Sequence, residues 1–108
     1  MTTLVTVKFQ KLGAVFSTAD EASDDRYVGA DPTLLEETAA LNTTFLANGV
    51  MSAPNSKTWD QDTNTLTVVK YINSIADYDA GWAPFGTELN TVAVNNGWTL
   101  VSKEVVEQ

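Results

Sequence analysis

Apolar side chains recur at every second residue over 4–10, collect on a stripe over 33–48, run strand-like over 56–61 and 65–73, return to a stripe over 75–95, and alternate again over 98–106. A period of two is that of a half-buried strand and a period near 3.6 that of an amphipathic helix. The chain therefore predicts β-α-β-β-α-β, an α+β fold spanning 1–108 as one domain, with a four-stranded antiparallel sheet and two helices on one of its faces.

Each element has a local cause. Val5, Val7 and Phe9 share a face of the first strand, and their β-branched and aromatic side chains suit the pleat. Residues 11–32 form a long excursion in which Thr18, with Glu21 three residues later, offers a capping box for a short helix through Arg26. Asp31-Pro32 opens the first long helix, with Glu36 and Glu37 close to its positive end. Leu34, Leu41 and Phe45 make its stripe, flanked by Leu35 and Leu46, and Asn48-Gly49 stops it. The turn formers Asp60-Gln61-Asp62-Thr63-Asn64 predict a hairpin. Ser74 and Asp77 cap the second long helix, whose stripe is Tyr78, Trp82, Phe85, Leu89 and Val92. Gly81, Pro84 and Gly86 within it predict a kink or a break, because proline lacks the amide hydrogen. Asn95-Asn96-Gly97 ends it.

In the third strand Leu66, Val68, Lys70 and Ile72 make one face, and Thr67, Val69, Tyr71 and Asn73 the other. Neither face is wholly polar, whereas a sheet wetted on one side alternates cleanly. Two helices cover one face, so the other needs a partner, and a second copy of the sheet is the economical one: a symmetric homodimer through the sheet face.

Composition narrows the chemistry. Six Lys+Arg against fourteen Asp+Glu give a net charge of −8, which disfavours nucleic acid and anionic membrane surfaces as partners. Cysteine and histidine are absent, so thiolate or imidazole ligands, cysteine nucleophiles and a Ser-His-Asp triad are unavailable to it. The alternating start Thr2-Thr-Leu-Val-Thr-Val reads as a strand instead of a signal peptide, and no run reaches membrane-spanning length; the expectation is a soluble cytoplasmic protein.

The element order, with the segment Leu66-Thr-Val-Val-Lys-Tyr-Ile-Asn-Ser-Ile-Ala-Asp-Tyr78-Asp-Ala-Gly-Trp82, resembles the dimeric α/β-barrel class of ferredoxin-like domains. That class includes antibiotic-biosynthesis-monooxygenase-like proteins and haem-degrading relatives; the chain also resembles small ferredoxin-fold proteins from marine metagenomic sampling. The resemblance implies a ferredoxin-like homodimer with an aromatic-lined cavity between sheet and helices. It departs from the haem-degrading members, which use a histidine on the second helix and a tryptophan near the end of the third strand, where this chain has Ile72. No haem or other cofactor is implied.

With that cavity in mind, the candidate ligand-binding residues are Phe9, Phe45, Trp59 and Tyr71, then Tyr78, Trp82 and Phe85 from the second long helix. The competing reading of each is ordinary core, and Trp59, beside a polar turn, is the one that packing explains least. Lys70, among Leu66, Val68 and Ile72, could hold a carboxylate at a cavity mouth or extend its ammonium to water. Arg26, after Asp20, Glu21, Asp24 and Asp25, could bind an anion, although local pairing competes. Asp60-Gln-Asp62-Thr-Asn64 imitates a calcium loop but lacks its glycine and its closing glutamate, so no metal is expected. Half of the acids lie between Asp20 and Glu37 with no ligand spacing, as on a solvated face. Asn42-Thr-Thr44 fits a glycosylation sequon in mid-helix. Three functions fit these residues: a binding protein for an amphipathic, fatty-acid-like or aromatic molecule; a cofactor-independent monooxygenase or isomerase acting on an aromatic or polyketide-like substrate; and a structural or regulatory dimer without a ligand.

Overall fold

The computed structural model describes residues 2–108. In chain order the elements are β1 (Thr3–Gln10), α1 (Ala19–Arg26), α2 (Pro32–Ala47), β2 (Met51–Asp60), β3 (Thr65–Ile72), α3 (Ile75–Asn95) and β4 (Thr99–Glu107). The strands make one antiparallel sheet in the order β2-β3-β1-β4. β1 and β2 thus run in the same direction with β3 between them, the split β-α-β of a ferredoxin-like α+β fold.

Register assigns the two faces. Val5 lies opposite Lys70, Val7 opposite Val68 and Phe9 opposite Leu66, so these residues and Ile72 share a face. All three helices cover it: Ala22 of α1 packs with Leu66 and Val68, and Phe45 of α2 and Tyr78 of α3 pack with Val5, Val7 and Ile72. Leu4, Val69, Tyr71 and Val106 point the other way, because Leu4 pairs with both Tyr71 and Val106, and Thr6 with Val69. The core has two lobes. One holds Val5, Val7, Phe45, Met51, Ile72 and Tyr78; the other holds Ala22, Leu66, Val68, Ala93 and Trp98.

The caps form as the sequence suggests. Thr18 Oγ1 accepts from the Glu21 amide at 3.1 Å, and the Glu21 carboxylate accepts from the Ser17 amide at 2.9 Å. Thr18→Ala therefore removes about 1 kcal/mol of stability, measurable by urea denaturation. Asp31 caps α2 through the Thr33 amide at 2.9 Å, and Ser74 caps α3 through the Asp77 amide.

Three features differ from expectation. β2 begins at Met51, not at 56: its first half carries Pro54 and small polar residues, which suit only an edge strand, and the register shifts between Met51 and Ser56 accommodate the proline. The short helix through Arg26 offered by Thr18 and Glu21 forms as a full element, α1, so three helices instead of two lie on the sheet. α3 runs unbroken through Pro84, and its buried residues are Tyr78, Gly86, Leu89 and Ala93, a stripe rotated slightly from the sequence reading, with Trp82, Phe85 and Val92 half-buried. Gly81 breaks nothing; it admits α2. A Cβ there would lie 2.6 Å from Phe45 Cζ and 2.9 Å from Cε1, on a ring that is 5% exposed and packs on Tyr78 at 5.2 Å. Gly81→Ala gains helix propensity yet overpacks this contact, for a net loss of about 1 kcal/mol read from the thermal midpoint.

Candidate binding cleft

Between the two core lobes the helices and the sheet do not close. A chamber of about 190 Å³ lies under α1, α2 and α3, and a second of about 230 Å³ continues between α3 and the β1–β4 side of the sheet. Phe9, Lys70, Tyr78, Trp82 and Asn90 line both, so the two chambers adjoin around these side chains and are described together as a cleft. Its walls differ. The first chamber is lined by Ser23, Arg26, Thr38, Asn42, Asn55 and Lys57, together with apolar side chains. The second has Val5, Val7, Ile72, Leu100 and Val105 on the sheet side. Leu100 and Val105 are more than half exposed.

Of the eight sequence candidates, the fold brings together Phe9, Lys70, Tyr78 and Trp82. The other four lie elsewhere. Phe45 fills the lobe between α2 and α3. Trp59 belongs to an aromatic trio with Phe16 at 5.0 Å and Trp98 at 5.9 Å, and its indole N–H donates to Gln61 at 3.0 Å; the excursion before α1 supplies the Phe16 that explains this tryptophan. Tyr71 is on the opposite face of the sheet, and Phe85 is half-buried on α3 outside both chambers. Asp60 accepts from the Asp62 amide at 2.9 Å and closes the hairpin.

Arg26 is the residue whose role the sequence concealed. Successive helical residues are 100° apart, so Ala22, Ser23 and Arg26 face inward while Asp20, Glu21 and Asp24 stay in solvent. Asp25 turns aside to Lys11, at 2.6 Å, and to the Trp98 indole N–H, at 3.1 Å. Lys11–Asp25 is the one ion pair among the described residues, and Arg26, 5% exposed, has no carboxylate partner. Its guanidinium carbon sits 3.6 Å from the Phe9 ring centroid and 4.7 Å from that of Tyr27. At the end of α1 the Asn96 amide donates to the carbonyls of Asp25, Arg26 and Val28.

Lys70 is in the same position from the sheet side. Its ammonium stands 5.1 Å from the Tyr78 ring and 5.4 Å from that of Trp82, two rings stacked at 6.4 Å. Burial, with Lys103 and Arg26 nearby and only Asp79 opposing, pulls its pKa from 10.5 to about 8. Burial likewise lowers that of Arg26. Burial holds the Tyr78 phenol up at about 12, reinforced by Tyr27 and Asp79, so it remains a hydrogen-bond donor. A cation–π contact contributes about 0.5–2 kcal/mol, less than the several kcal/mol that removing an ion from water costs.

No helix among the described residues is long and apolar enough to cross a membrane. Comparison of the chain with protein-family models, with curated proteins and with solved structures gave no match.

Proposed function

We propose that this chain is a homodimeric binding protein for a small amphipathic molecule, held in the cleft beneath α3. The observation that carries this reading is the join between a polar chamber and an apolar one around Phe9, Lys70, Tyr78 and Trp82. Concave sites of this kind, mostly apolar with a few convergent polar groups, are the usual form of small-molecule sites. The stacked Tyr78–Trp82 pair offers a flat wall to an aromatic or extended aliphatic body.

The dimer closes through the sheet face that carries Leu4, Val69, Tyr71 and Val106. All three helices lie on the other side, so a second sheet is the cover this face lacks. The arrangement is that of the dimeric α/β-barrel class, to which the Leu66–Trp82 segment is similar.

Native mass spectrometry of protein purified without added ligand, with thermal melts in decanoate, decanol and 2-naphthamide, tests both halves. The expected results are twice the protomer mass and a raised melting temperature with at least one probe. A probe at a hundred times its Kd stabilises by about 2.7 kcal/mol, about 10 °C for a domain of this size. A single-protomer mass overturns the dimer; an unmoved melting temperature with every probe overturns the cleft as a binding site.

A further inference from the structure

We infer that the first chamber is an anion site, built for the carboxylate of an amphipathic acid, with Arg26 and Lys70 as its two charge partners. The inference rests on the binding reading above and deepens it by naming the head group.

Two observations converge. First, the protein has six cationic side chains and a net charge of −8, yet Arg26, Lys57, Lys70 and Lys103 all line the cleft. The first chamber contains no Asp or Glu in its wall. Second, Arg26 is 95% buried by its 5% exposure, and its Nε is enclosed without a hydrogen-bond partner. Buried polar groups are almost always partnered, and one left alone carries its full desolvation cost.

A carboxylate supplies the charge partner that Arg26 lacks. The guanidinium offers a planar fork to its two oxygens, the Lys70 ammonium approaches from the sheet, and the Tyr78 hydroxyl remains a donor. The body of the acid then lies across Trp82 into the apolar chamber under Leu100 and Val105. Lys57 contributes less directly, because its ammonium already donates to Ser23 at 3.1 Å.

The test compares 2-naphthoate with its uncharged counterpart 2-naphthamide, and both with inorganic phosphate, by isothermal titration at pH 7. The expected result is binding of 2-naphthoate at least about ten-fold tighter than either of the others. Lys70→Met and Arg26→Met each lose about ten- to a hundred-fold for the naphthoate and leave the naphthamide unchanged. Equal affinity for naphthoate and naphthamide overturns the anion site while the amphiphile reading stands. Phosphate binding as tightly as naphthoate keeps the charge site and overturns the amphiphile. Failure of all three to bind removes both. The comparison on the unaltered protein decides the matter even where the Arg26 variant does not fold.

Discussion

The homodimer proposed above predicts that a Val69→Glu variant sediments as a single protomer at concentrations at which the unaltered protein sediments as a pair. Val69 stands on a central strand of the uncovered face, between Thr6 on β1 and Ser56 on β2, so any close packing of two sheets buries it. A symmetric interface uses the same patch twice. One substitution therefore introduces two carboxylates into the contact, each costing several kcal/mol to take out of water without a partner. The dimer Kd rises more than about a hundred-fold. The variant protomer keeps its fold, because the core contacts all lie on the helix side of the sheet. Circular dichroism should be unchanged, and Leu46→Glu, at a 37% exposed position on α2, should leave sedimentation unaffected. If the unaltered protein runs as a lone protomer, or Val69→Glu still pairs, the interface is elsewhere.

Lys70→Met should melt about 8 °C higher than the unaltered protein at pH 7, corresponding to about 2 kcal/mol. Methionine retains the length of the stem and removes a buried ammonium that stands over the Tyr78 and Trp82 rings. The pH dependence follows from its pKa, about 8 folded against an ordinary value near 10.4 unfolded. Between these values the unfolded chain holds a proton that the folded protein has released, so stability of the unaltered protein rises with pH across that window. The advantage of Lys70→Met is accordingly full below about pH 8 and fades by about pH 10.5. The groups that face this ammonium are Arg26 on α1, Tyr78 and Asp79 on α3 and Lys103 on β4. An anionic ligand has the opposite dependence. It prefers the protonated lysine, so naphthoate affinity falls as pH rises through about 8. Melts and titrations at pH 7, 9 and 10.5 check both signs; an advantage that does not shrink, or affinity flat across pH 8, contradicts this role for Lys70.

How much of this could be read from the chain follows from what hydrophobic periodicity records. It located all four strands and both long helices, since each repeats its apolar side chains at the period of its own element, even β4, whose residues are all exposed. It missed the first half of β2, where Pro54 and small polar residues are held by edge pairing instead of burial. The Thr18–Glu21 cap announced α1, but its task was hidden: the helix buries only Ala22, Ser23 and Arg26, and a buried cation looks in sequence like any surface charge. The acids beside Arg26 suggested pairing that helical rotation forbids. Lys70 was legible because its neighbours on alternate positions, Leu66, Val68 and Ile72, are apolar. Trp59 was not, because its partners Phe16 and Trp98 are distant in the chain, and no local period reports a contact made over such separations. Gly81 illustrates the same limit: as a local signal it suggests a helix break, and only the placement of Phe45 shows that it is a seat for a ring.

The fastening of α1 by Asn96 has a consequence for biosynthesis. The guanidinium that faces the cleft sits in the first third of the chain, yet the amide that secures the end of its helix lies 70 residues later, and Lys103 and the wall of Leu100 and Val105 follow later still. During synthesis the early strands and helices can therefore be in place while the end of α1 is still unsecured, and the proposed acid site is walled only once β4 has paired with β1.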